Sequence, residues 1–145
     1  MEMDEEFLES NDLDWFSAYQ DGYIAHFATG GKGIVPESVK SSTENYEAIY
    51  DYFHSFDKVS EIEIVGGNLP SFSNEDQRNR YLKSFIDMAE RGLFSHDAKD
   101  DGNYKLIAKP KIGISYKGIP EKIKVILHTL PASVLSLDTQ ITVVE

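Results

Sequence analysis

At 145 residues, with 41% hydrophobic, 12% aromatic and 27% charged side chains, the chain has the make-up of one globular domain and not of a disordered, collagenous or membrane-spanning protein. Cysteine is absent, which excludes disulfides, thiolate catalysis and sulfur-ligated metal sites. A formal net charge of −11 argues against direct binding to nucleic acid or an anionic bilayer, because both rest on Lys/Arg neutralising phosphate.

The charge is uneven along the chain. Glu2, Asp4, Glu5, Glu6, Glu9, Asp12 and Asp14 lie in the first 14 residues with no base among them. Residues 1–101 carry −14 and residues 102–145 carry +3. Residues 1–12 therefore read as an acidic leader that can remain flexible, ahead of a single domain over 13–145. The first hundred residues should meet any charge-steered partner, with the C-terminal lysines turned elsewhere. No basic region followed by an apolar run marks an export signal, and no stretch approaches a membrane span, so a cytoplasmic protein is expected.

Leu13–Tyr19 and Tyr23–Ala28 are two β-type runs joined by Gln20, Asp21 and Gly22, a hairpin signal in which Asp-Gly supplies the positive φ of the reversal. Alternation puts Trp15, Ser17 and Tyr19 on one face, Phe16 and Ala18 on the other. A glycine-rich loop, Gly30 to Gly33, leads to Pro36 and a helical turn through Val39. Ser41 and Glu44 have the spacing of a capping box, and Tyr46, Ile49, Tyr50 and Phe53 mark the buried stripe of the helix that follows. Glu61–Val65 alternates as a short strand. Asn74 and Gln77 open a longer helix with Tyr81, Leu82, Phe85, Ile86 and Ala89 inward, closed by Arg91 and Gly92.

Residues 95–103 read as a polar turn. Tyr104–Ala108 and Ile112–Tyr116 follow as edge strands, since Pro110 removes a ladder donor. Ile123–Leu130 leans to helix, and Val134–Val144 has the composition of a last strand. The pattern is α+β: a single domain with a mostly antiparallel sheet, an N-terminal hairpin and two main helices.

Local motifs for chemistry are few. The glycine loop lacks the spacing of a dinucleotide or P-loop cradle, because Pro36 stands where the third glycine belongs. Asp97, Asp101 and Gly102 match part of a calcium loop, but Lys99 and Ala108 occupy ligand positions. His26, His54, His96 and His128 are scattered without an i, i+4 pair, so no metal site is local in sequence. No cofactor and no catalytic residue are expected. What remains is surface: Asp21, Tyr23, Tyr52, Asp97, Asp100 and Asp101 are the candidate partner contacts, as acids in turns and amphipathic rings at flanking positions.

Asp14-Trp15-Phe16, Asp21-Gly22, Ile24-Ala25-His26-Phe27, Gly30-Gly31 and Pro36-Glu37-Ser38-Val39, followed by Tyr52-Phe53, form an opening that resembles small bacterial immunity proteins of polymorphic toxin systems. Ile119-Pro120-Glu121-Lys122-Ile123 is a weaker echo. The resemblance covers about residues 13–56. It implies a non-catalytic cytoplasmic protein that neutralises a cognate toxin by stoichiometric binding, and it carries over no catalytic residue and no particular partner. A basic toxin domain would suit the charge. The alternatives are a protein-interaction or scaffold domain with a non-toxin partner, and a small enzyme whose site assembles around His26 or His96 with acids of the 97–101 turn.

Overall fold

The computed structural model describes residues 2–131 and 138–139. Its centre is the hairpin of β1 (Asp14–Tyr19) and β2 (Ile24–Ala28), paired antiparallel from Asp14↔Ala28 to Ala18↔Ile24. The reversal uses three residues, and only Gly22 takes a positive φ, 90°, with its N–H donating to the Tyr19 carbonyl. This is the longer hairpin loop in which glycine follows a type I turn.

The other strands are β3 (Ile62–Ile64), β4 (Phe94–Ala98), β5 (Tyr104–Pro110), β6 (His128–Leu130) and β7 (Asp138–Thr139). They form one sheet in the order β3-β5-β4-β2-β1-β6, with β7 also on β5. The β1–β2, β3–β5, β4–β5 and β5–β7 pairings are antiparallel, and β2–β4 and β1–β6 are parallel. The fold is thus α+β with a mixed, predominantly antiparallel sheet.

Among the described residues five helices pack around it: α1 (Glu5–Ser10), α2 (Glu37–Lys40), α3 (Thr43–His54), α4 (Glu75–Glu90) and α5 (Glu121–Lys124). The cap of α3 is Ser42, whose hydroxyl accepts from the Asn45 N–H, one residue later than the expected Ser41. Asn74 caps α4 as expected, accepting from the Gln77 N–H at 2.9 Å. That helix ends on Gly92 at φ 96°, with Gly92 N–H bonded to the Ala89 carbonyl and Leu93 N–H to that of Met88. This double closure is what a left-handed glycine after the last turn permits.

Both faces of the hairpin are buried. Phe16, Ala18 and Ile24 pack with Ile49 and Phe53 of α3, Met88 of α4 and Ile123 of α5. Further along α4, Leu82, Phe85 and Ala89 cover Ala28, Ile107 and Ala108. On the opposite face Trp15, Tyr19, Ala25, Phe27, Tyr104 and Leu106 pack under Val35, with Leu8 and Ile34 at the margin. Trp15 stacks on Phe27 at 4.3 Å between centroids, and Tyr104 meets both edge-on. Such pairs add roughly 0.5–1.5 kcal/mol each beyond their buried area.

Several expectations are corrected. Residues 95–98 are strand, not turn: β4 lies between β2 and β5, and its polar Ser95 and His96 are fully buried because each has a hydrogen-bond partner across the sheet. The turn is confined to about residues 99–103. β5 is interior, since Pro110 falls on its last residue opposite Ile62, where the missing donor costs little. The Ile112–Tyr116 run makes one isolated bridge, Tyr23↔Ser115, and then a 3₁₀ turn. Ile123–Leu130 splits between the end of α5 and β6. Within the expected leader, α1 is helical, Met3 is 7% exposed and its N–H donates to the Lys40 carbonyl. The expected strand Val134–Val144 lies outside the described residues except for Asp138–Thr139.

Candidate functional site

Two arrangements concentrate the polar chemistry. The first crosses β1, β2 and β4 beneath the helices. Strand alternation puts Asp14, His26 and Ser95 on the same face of the sheet, and the registers His26↔Phe16 and His26↔Ser95 bring them into a row. His26 Nε2 lies 2.7 Å from Asp14 Oδ1, and His26 Nδ1 lies 2.7 Å from Ser95 Oγ. A carboxylate only accepts, so Nε2 carries a proton toward Asp14, while Nδ1 faces the Ser95 hydroxyl. Burial alone would raise the Asp14 carboxyl. The hydrogen bond and charge of His26, with His54 beyond, outweigh it and hold the group below the ordinary aspartate value.

That order of groups is the order of a serine nucleophile, its base and an orienting acid, but the access is reversed. Ser95 is 0% exposed and His26 1%, in mid-strand under packed helices, whereas the Asp14 side chain is 35% exposed. A nucleophile must touch its substrate, so this row ties three strands together. The acids of the 97–101 turn are not its partners. Asp97 instead accepts from the Tyr81 hydroxyl of α4 at 2.6 Å and from the Ala98 N–H. Burial and Asp97 push the Tyr81 phenol up.

His96 occupies the opposite face of the same strand. Its Nδ1 lies 3.0 Å from the His26 carbonyl, which only accepts, so Nδ1 bears the proton and Nε2 accepts from the Tyr19 hydroxyl. Complete burial drives its pKa down to about 3, and the ring is neutral. A parallel link joins Trp15 Nε1–H to the Tyr104 hydroxyl, which donates to the Ile34 carbonyl. Among the described residues no buried side-chain nitrogen or oxygen lacks a partner, and no group of three His, Asp or Glu is arranged to hold a metal.

The second arrangement is the end of the sheet where β1 begins and β2 and β4 finish. The loop 29–34 is sewn into it: Gly30 N–H donates to Asp12 Oδ1, Lys32 and Gly33 N–H to the Thr29 carbonyl, and Ile34 N–H to the Gly102 carbonyl. Those amides are committed within the chain, so the loop is a structural turn and no phosphate cradle. It brings the Glu9 backbone of α1 against Gly31 and Lys32 Nζ within 2.9 Å of Asp100. Lys32 holds the Asp100 carboxyl below its usual value. Asp12, Asp100 and Asp101 thus meet the Glu9 backbone at one end, beside Asp97 at the end of β4, whose carboxylate is turned to Tyr81, with Lys32 paired to Asp100, Lys99 to Asp101 and Lys105 also acting on Asp100.

The six expected partner contacts fall in three places. Asp97, Asp100 and Asp101 belong to this acidic end. Asp21 and Tyr23 sit at the far end of β2, where Tyr23, 40% exposed, leans on Phe94. Tyr52 lies on α3 against Phe53 and Phe56. The structure brings the first three together and separates the others from them. Lys109 and Lys111 lie at the far end of β5 from this acidic end, where they pair with Glu63 and Glu61. Asp14 and Ser95 were outside the expected contacts. The hairpin register makes Asp14 and His26 diagonal neighbours, a signal present in the sequence, whereas Ser95 required β4 to be recognised as a strand.

No helix among the described residues is long and apolar enough to cross a membrane. Comparison with protein families, characterised proteins and solved structures finds no match to this chain.

Proposed function

We propose that the chain is a non-catalytic protein-binding domain that neutralises a cognate toxin by stoichiometric binding in the cytoplasm. The observation that carries this reading is the acidic end, where α1, the 29–34 loop and the β4–β5 turn meet. Its carboxylates come from rigidly tethered segments on a protein of net charge −11. A basic partner is drawn to such a field, and complementary potentials raise association rates by roughly 10 to 1,000-fold at low salt. The resemblance of residues 13–56 to immunity proteins supplies the toxin as the class of partner.

The buried polar rows support binding over catalysis. Their nucleophilic and basic groups are spent on fixing the sheet, and the ends of the sheet are left to present charge. Co-expression with the protein encoded beside this gene tests the reading. Restored growth and a one-to-one complex on a sizing column are expected; continued toxicity with no complex overturns it.

A further inference from the structure

A groove of about 410 Å³ lies between α3 and α5, away from the acidic end. Its lining is mostly apolar, with Ala48, Tyr52, Ile123 and Ile126 beside Ser55. Its walls carry opposite charge: Asp51 on the α3 side and Lys122 on the α5 side. Both are exposed, and neither takes part in an ion pair among the described residues. Glu47, one turn before Asp51, extends the acidic wall and is also exposed. Val125, 71% exposed and three residues on from Lys122, extends the apolar side of the other wall.

We propose that this groove is a homodimer interface in which a second copy of the chain docks by two-fold symmetry. A groove with one acidic and one basic wall is complementary to itself. With the two-fold axis running along the groove, α3 of each copy lies over α5 of the other, so Asp51 faces Lys122 twice. An axis across the groove would set Asp51 against Asp51 and Lys122 against Lys122, and like-charge repulsion disfavours it. The mostly apolar lining is then closed from water on both copies, while the acidic end of the sheet stays open. This inference does not depend on the toxin reading, and neither outcome below bears on it.

Sedimentation equilibrium of the full chain from about 1 μM to about 1 mM at low salt tests it. A reversible monomer–dimer equilibrium is expected, weakened about 10-fold or more by either Asp51→Lys or Lys122→Glu, since each introduces two like-charge contacts. The double exchange, Asp51→Lys with Lys122→Glu, restores opposite charges and is expected to recover the dimer to within about 3-fold of the original chain. Unchanged thermal melts of the three variants establish that folding is intact. A monomer throughout the range overturns the proposal, as does a dimer indifferent to the single reversals or not recovered by the exchange.

Discussion

Replacing His96 by glutamine is expected to remove about 3 kcal/mol of acid sensitivity between about pH 7 and about pH 4.5. The ring is fully buried, faces the Tyr19 hydroxyl and the His26 carbonyl, and has its pKa driven from 6.5 down to about 3. Above pH 6.5 both folded and unfolded chains hold it neutral, and its contribution does not vary. Below that value the unfolded chain binds a proton that the folded chain refuses, so stability falls as pH falls, by about 1.4 kcal/mol per unit, until the folded ring titrates near pH 3. Some two units of this window lie above pH 4.5, which gives about 3 kcal/mol. Many carboxylates also titrate at the lower end, but they are shared by the variant and cancel in the difference. Urea unfolding at several pH values, followed by circular dichroism, measures both proteins. The parent is expected to lose about 3 kcal/mol more than His96→Gln on acidification. A gap that stays constant to within about 0.5 kcal/mol would refute the neutral, buried assignment.

Tyr104→Phe removes the hydroxyl that accepts from Trp15 Nε1 and donates to the Ile34 carbonyl, leaving a buried indole donor unpaired. It is expected to cost about 1–3 kcal/mol in urea unfolding, with a shift in Trp15 emission. Gly33→Ala would drive a methyl into that same pinned hydroxyl, and a lower melting temperature with a loss of about 1–3 kcal/mol is expected. Asp14→Asn deletes the anion held by His26. Because the folded Asp14 pKa is depressed, its contribution is full above 3.8 and lost as pH falls through the folded value, so the variant should be less stable at neutral pH and lose less on acidification below about pH 4.

The elements that could be read from the chain are those in which several local rules agree. The hairpin carries alternation and a glycine turn together, and α4 carries a cap, an apolar stripe and a terminal glycine. The α3 stripe was equally plain, although Ser42 took the capping role from its neighbour Ser41 once the chain entered from α2. β4 was illegible because Ser95, His96 and Asp97 look like loop residues. Their burial is possible only through partners far away in sequence, His26, Tyr19 and Tyr81. The same long-range dependence explains the site. Asp97, Asp100 and Asp101 were readable as an acidic turn, but their union with Glu9 and Asp12 depends on the 29–34 loop binding both segments. Charge counted along the chain does not show the partners of Lys109 and Lys111, because the pairing of β5 with β3 brings Glu63 and Glu61 to them.

The central claim, recognition of a basic toxin through the acidic end, is tested most directly by stopped-flow association with the neighbouring gene's product across ionic strength. The parent chain is compared with a variant carrying Glu9→Gln, Asp100→Asn and Asp101→Asn. The account predicts a one-to-one complex whose on-rate falls steeply with salt, and a variant that associates about 10-fold or more slowly at low salt. An on-rate independent of salt and identical in the two proteins would contradict it.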